Sequence, residues 1–290
     1  MSIQHLPAPH ALILGLDTPA GAYLARLLHA RGQQVSGIAA AAPALLPALG
    51  AQDDITELPS STLASPDSVP VFPHQGVVYL VSQPHPGAEA LAQQALATAP
   101  ATTRLVHVAD HGLLLAHAPA RSLAQQITRL RRDSGRFAAN AILHPHDSRL
   151  GPKDALPARI IAAAHRASQT PSPWPDLPHL PPQDWGWTPE YVDAVARLAA
   201  LPIATDIEVA SGVPMTAHEM ATHAARWFRL DPSLTSIPVP SIPAPSISAS
   251  TRPPDTARLK TLLGWRATTT GADLMAALCE AVHQRAGNGP

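Results

Sequence analysis

Cysteine occurs once in the 290 residues, at Cys279, which excludes both an internal disulfide and a cysteine-based metal site. A reducing, cytoplasmic setting is the expectation that follows. An excess of either charge is missing too. Against 20 Lys and Arg stand 21 Asp and Glu, and a formal net charge of -1 draws the chain to neither nucleic acid nor an anionic membrane. No segment reaches the roughly 20 apolar residues of a spanning helix. The opening residues Met1 to Pro7 lack the basic region and apolar stretch of a secretory leader. Aromatics are scarce at 4%, whereas hydrophobic residues reach 46%, in keeping with a soluble globular protein whose length allows a sizeable core. What the chain has in plenty is proline, 33 in all. Proline fixes φ and removes a donor, so these residues belong in loops, sheet edges and first helical turns.

The apolar run Ala11-Leu-Ile-Leu-Gly15 suits a buried parallel strand. Pro19 then opens a helix carrying Leu24, Leu27 and Leu28 as far as Arg31-Gly32, and Val35-Ser-Gly-Ile38 is the next strand. Strands at Val77 to Val81 and Arg104 to Val108 alternate with helices at Ala88 to Ala97 and Ala118 to Ser134, leading to Phe137-Ala-Ala-Asn-Ala-Ile-Leu143. This alternation predicts an α/β fold, a doubly wound parallel sheet of Rossmann-like type, with a dinucleotide-binding domain over residues 1–150.

Residues 151–290 are expected to form a smaller mixed α/β lobe for the substrate, interleaved with the first in space. Helices are predicted at Leu156 to Ser168, at Pro189 to Leu201 with Thr188 as N-cap, and from the capping box Thr216-Ala-His-Glu219 to Phe228. Asp206 to Ala210 reads as a strand. Two further helices are placed at Asp255 to Leu263 and Gly271 to Ala286. Thr170 to Pro182 and the Pro/Ser-rich residues 233–254 read as loops.

Gly15-Leu-Asp-Thr18-Pro-Ala-Gly21 follows a strand and opens a helix, as a dinucleotide turn does. Gly15 is placed for the tight turn and Gly21 for close packing of helix on strand. Thr18 stands where a second glycine would let pyrophosphate approach the backbone, and its side chain crowds that path although its hydroxyl has a hydrogen to donate. The helix N-terminal amides remain an anion site. A cofactor site and a purely structural turn are both open readings. Ala39 to Ala42, after the second strand, offer neither an acid for a ribose hydroxyl nor an arginine for a 2′-phosphate, so NAD and NADP are not distinguished.

Several segments in consistent order resemble GDP-mannose 4,6-dehydratase, an extended short-chain dehydrogenase/reductase that uses NADP. They are Ala11 to Gly15 with Tyr23-Leu24-Ala25 and Gly37-Ile38; Phe137 to Leu143 with His146-Asp-Ser148; Asp184-Trp-Gly186 with Tyr191-Val-Asp-Ala194; Ala210-Ser-Gly212; and Arg252-Pro253 with Leu262-Leu-Gly-Trp265. The resemblance implies the conversion of GDP-mannose to GDP-4-keto-6-deoxymannose. It also implies helix-mediated pairing into a homo-oligomer or with a relative.

That chemistry uses a Tyr-x-x-x-Lys pair, a threonine and a glutamate. Here the resemblance puts His117 and Arg121 at the tyrosine and lysine positions and Asp110 or His111 at the threonine, with a much shorter loop before His117. Asn140, His146, Arg159 and Arg252 match its substrate-side polar positions, Arg252 in the diphosphate region, where a guanidinium can make two charge-assisted bonds at once. Gln183 replaces an arginine before Asp-Trp-Gly. The expectation is a nucleotide-sugar protein whose dehydration is weak or absent. A non-catalytic scaffold subunit and a related reductase or epimerase are the alternatives.

Fifteen histidines suggest a metal at first sight. His218 and His223, however, are five residues apart, which turns their rings away from each other by about 140° on a helix, and His144-Pro-His146 has no third partner in sequence. No metal is expected.

Overall fold

The computed structural model describes residues 10–59, 76–170, 181–231 and 253–287. The proline-rich stretch 171–180 and most of residues 233–254, Arg252 included, lie outside them.

The described elements run β1 (His10–Leu14), α1 (Pro19–Ala30), β2 (Gln34–Ile38), a single 3-10 turn (Pro47–Leu49), β3 (Thr56–Leu58), β4 (Val77–Val81), α2 (Pro86–Thr98), β5 (Arg104–Asp110), α3 (His111–Ala116), α4 (Ala118–Ser134) and β6 (Ala138–Leu143). They continue with β7 (His146–Asp147), α5 (Leu156–Gln169), β8 (Gln183–Asp184), β9 (Gly186–Trp187), α6 (Thr188–Ala200), β10 (Ile207–Val209), β11 (Pro214–Met215), α7 (Ala217–Trp227), α8 (Thr256–Leu263) and α9 (Gly271–Gly287).

Seven of these strands form one sheet in the order β10-β6-β5-β4-β1-β2-β3, and every pairing in it is parallel. The fold is therefore a doubly wound α/β sheet. Parallel strands buried on both faces read as apolar runs, and β1 and β4 do so. Leu12, Leu14, Val78, Leu80 and Leu105 face α2 and α4, packing with Leu91, Leu123 and Ile127. Ile13, Tyr79, Val106 and Val108 face the other way, toward α1 and α6, with Leu24, Leu28, Tyr191 and Val195. Burial of one such large apolar side chain contributes about 1.5–3 kcal/mol.

The C-terminal half gives the sheet its seventh strand, β10, which pairs with β6. It also builds a separate apolar cluster from α5, α7 and α9, around Ile160, Met220, Leu274 and Cys279. Two segments that carry the resemblance meet there: Asp184 accepts the backbone N–H groups of Ser211 and Gly212 at 2.6 and 2.7 Å.

Local signals hold at most helix ends. Thr216 and Glu219 form the reciprocal capping box that their spacing predicts. α2 begins earlier than its apolar pattern, because the His85 side chain accepts from the N–H of Gly87 and caps it. Thr188 is corrected from N-cap to first helical residue. Trp187 precedes the helix, no side chain caps it, and the Thr188 hydroxyl is buried without a hydrogen-bond partner. The short helix α3, where only a truncated loop was expected, fills the interval between β5 and α4.

Candidate functional site

In an open parallel sheet the strand order reverses once, and the crevice beyond the strand ends at that point is the usual ligand site. Here the reversal lies between β1 and β4. A cleft of about 430 Å³ opens there, lined by Thr18 to Ala20 after β1, Val81 to Pro84 after β4, Asp110 at the end of β5, and Leu143 with Pro145 to Ser148 around the end of β6. Trp185 and Thr188 close it from the C-terminal half.

The glycine turn has the backbone of a dinucleotide turn. Gly15 stands at φ 120°, and a Cβ on Gly21 would lie 2.0 Å from the Gly15 carbonyl oxygen, so both positions require glycine. Thr18 caps α1: its Oγ1 accepts from Gly21 N at 3.0 Å and donates to the Gly15 carbonyl at 2.7 Å. The hydroxyl is therefore spent inside the turn, which corrects the expectation that it had a hydrogen to offer a phosphate.

Sequence reading overlooked the residue beside it. The Asp17 carboxylate accepts the backbone N–H groups of Ala40, Ala41 and Ala42 at 3.2, 2.8 and 3.1 Å, and the Gln83 amide bonds both of its oxygens. Both Asp17 oxygens are thus taken up by the loop after β2 and by Gln83. Gly15 and Gly21 keep the close backbone packing that a dinucleotide turn needs, but a bound phosphate would meet fewer donors here than a three-glycine turn provides, with a carboxylate alongside.

Two of the candidate residues meet on the opposite wall. His146 Nδ1 lies 2.9 Å from the His144 carbonyl oxygen and 3.3 Å from Asp110 Oδ1. Both are acceptors, so Nδ1 carries a proton directed at them. The ring packs at 5.6 Å on Tyr191, which in turn meets Trp265 edge-on at 6.0 Å. Trp265 is thereby a packing anchor, while Trp185 reaches the cleft. Beside Asp110, His111 stacks on His144 at 4.8 Å, and burial, followed by the neighbouring His144, lowers the pKa of His111.

The other candidates are dispersed. His117 Nε2 lies 3.3 Å from Glu89 Oε1 of α2, its Nδ1 is buried and unpartnered, and the ring lines a second cavity of about 290 Å³ between α2 and α4. Arg121 bonds the carbonyls of Leu114 and Leu115 at 3.1 and 2.8 Å, closing the end of α3. Asn140 is 3% exposed and lies beneath the site: its Oδ1 meets His107 Nδ1 at 2.8 Å, and its amide nitrogen faces the Ala124 carbonyl, Thr128 and Asp206. Arg159 is exposed on α5, one turn beyond the cleft-lining Ala155.

His107 was not singled out in sequence, although a polar residue inside the apolar run Arg104-Leu-Val-His-Val108 is the available signal. Its Nε2 lies 2.7 Å from Ser82 Oγ, and Val81, Ser82 and Gln83 line both cavities. Among the described residues no group of three or more His, Cys, Asp or Glu side chains could hold a metal ion, and no helix is long and apolar enough to cross a membrane.

No protein-family model matches this chain, and no curated protein does. Solved structures do. A dTDP-glucose 4,6-dehydratase from Bacillus anthracis, in complex with NAD, matches with a TM-score of 0.76 at 10% identity over 96% of this chain and 97% of that one. A UDP-N-acetylglucosamine 4-epimerase from Methanobrevibacter ruminantium, in complex with UDP-N-acetylmuramic acid, gives 0.76 at 11% over 97% and 100%. A dTDP-glucose 4,6-dehydratase from Streptomyces venezuelae with NAD bound gives 0.75 at 14% over 96% and 98%. At such identities the likeness is one of fold: this chain has the α/β fold of nucleotide-sugar dehydratases and epimerases, over nearly its whole length.

Proposed function

We propose that the protein binds a nucleotide sugar in the cleft at the β1/β4 reversal, beside a nicotinamide dinucleotide, with 4,6-dehydration weak or absent. The observation that carries this reading is the polar equipment of an otherwise apolar cleft. The oriented Asp110–His146 pair stands in its wall, and Thr188 brings a buried hydroxyl that no protein group satisfies. An unsatisfied buried hydroxyl costs about 1–3 kcal/mol, which a ligand hydroxyl would recover. GDP-mannose is the ligand designated by the resemblance.

The Tyr-x-x-x-Lys chemistry is not re-created by its replacements, since His117 is turned to Glu89 and Arg121 to the carbonyls of α3. Any proton transfer in the cleft falls instead to His146, oriented by Asp110. NAD is the favoured dinucleotide because the Asp17 carboxylate stands at the loop after β2, where a 2′-phosphate would be repelled. The same loss of the acid–base pair with retention of the cleft favours, as a second reading, a non-catalytic subunit that pairs with an active relative.

Calorimetry with NADH, NADPH and GDP-mannose, with dTDP-glucose and UDP-N-acetylglucosamine as comparison ligands, tests the proposal alongside a turnover assay. Binding of a nucleotide sugar with little or no turnover is the expected result. Binding of none of these ligands overturns it.

A further inference from the structure

Beneath the cleft a chain of hydrogen bonds has only one consistent direction. The Asn140 amide nitrogen lies 3.1–3.2 Å from the Ala124 carbonyl oxygen, Thr128 Oγ1 and Asp206 Oδ1, which fixes the NH2 on that side and turns Oδ1 toward His107. Asp206 is itself held in place by Arg131, through bonds of 2.6 and 2.8 Å. His107 Nδ1 must then carry the imidazole proton, so Nε2 is bare, and the Ser82 hydroxyl donates to it at 2.7 Å. His107 is fully enclosed, and burial lowers its pKa to about 4, with only a partial offset from Asn140 and Asp206. It is therefore neutral at pH 7.

The outcome is a serine at the C-terminal end of β4, half-buried on the wall of two cavities, whose proton already points at an oriented neutral imidazole. This is the arrangement that nucleophilic catalysis requires: nucleophile to base to orienting group, each step within hydrogen-bond reach. The 290 Å³ cavity at Ser82 is walled by Leu14, Leu80, Leu91 and Leu123, which suits a short aliphatic chain. Ala88, in the first turn of α2, lines the same cavity and brings the positive end of that helix beside it.

We propose that Ser82 is an activated nucleophile toward short-chain carboxylic esters, with His107 as its base and Asn140 as the positioning residue. Ser82 Oγ bonds to the acyl carbon while its proton passes to His107 Nε2. The bond from the acyl carbon to the alkoxy oxygen breaks, and the departing alkoxide takes that proton as the alcohol. Water then attacks the acyl-serine, giving a proton to His107 that returns to Ser82 Oγ as the acid leaves. The net reaction is ester plus water to acid plus alcohol, with no oxidant or reductant. It does not rest on the nucleotide-sugar reading, and since Ser82 also lines that cleft, a ligand bound there would compete with the ester.

The test uses the full chain, a fluorophosphonate probe and p-nitrophenyl butyrate. The expected result is a single adduct, located on Ser82 by peptide mass spectrometry, together with esterase turnover that Ser82→Ala abolishes. His107→Gln should slow adduct formation on the order of 100-fold or more. No adduct on Ser82, or an unchanged rate in a folded His107→Gln, overturns the proposal. If His107→Gln does not fold, Ser82→Cys decides: its thiol, beside the bare nitrogen, should react with iodoacetamide at pH 7 at least tenfold faster than glutathione does, and a rate equal to or below glutathione's overturns it.

Discussion

Asp17 is held by Gln83, a residue of the cleft wall, whose amide donates to both carboxylate oxygens at 3.2 and 3.1 Å. With the three N–H groups of Ala40 to Ala42 they tie the glycine turn, the end of β4 and the loop after β2 into one unit. A unit charge about 5 Å from a phosphate, at an effective dielectric near 20, opposes it by about 3 kcal/mol before screening. NAD should therefore bind at least tenfold more tightly than NADP. Asp17→Asn keeps an acceptor for the loop but removes the charge, and should narrow that ratio toward unity in calorimetric titrations. A wild-type preference for NADP would show that the 2′-phosphate lies elsewhere.

The Thr188 hydroxyl is a polar group in the cleft wall with no protein partner. Thr188→Val preserves the shape of the side chain and removes the unsatisfied atom. In urea denaturation the ligand-free protein should gain about 1–3 kcal/mol. Affinity for the nucleotide sugar should fall in the same variant. A gain in stability with unchanged affinity would separate Thr188 from the ligand.

Much of the fold was legible in sequence because parallel strands buried on both faces must be apolar runs. Ala11 to Gly15, Val77 to Val81 and Arg104 to Val108 announce themselves in this way. The three-residue β3 and the helix α3 carry no such pattern, being too short to show a period and fixed by what they pack against. The site was less legible for a different reason. The resemblance placed His117 and Arg121 together at the start of α4, but it could not show that Glu89, 28 residues earlier, would take the one and the carbonyls of α3 the other. Asp110 and His146 were named separately, in different roles, and only the juxtaposition of the β5 and β6 ends makes them a pair.

That pair and His117 give opposite expectations on mutation. His146 lines the cleft, so His146→Gln should weaken GDP-mannose binding at least tenfold in calorimetry, and should reduce any dehydration the protein sustains by about 10²-fold or more. His117→Ala, which touches only the second cavity, should change both by less than threefold. A larger loss with His117→Ala than with His146→Gln would return the acid–base role to the start of α4.

The burial of His107 makes stability depend on acidity in a defined window. Enclosure holds its folded-state pKa near 4, whereas the unfolded chain protonates the same ring at about 6.5. Between these values the unfolded state binds the extra proton, so stability falls as pH drops from about 6.5 toward 4, is fully present above, and loses no more below. The difference of about 2.5 units corresponds to about 3 kcal/mol across the window. Other histidines with lowered pKa, His10 and His111, act in the same direction, so the contribution of His107 is read as a difference between proteins. Urea denaturation at pH 7 and pH 4.5 should show His107→Gln losing about 2–3 kcal/mol less on acidification than the wild type. Equal losses would mean that the imidazole gains its proton inside the folded protein, and Ser82 would then face a donor where the relay requires a base.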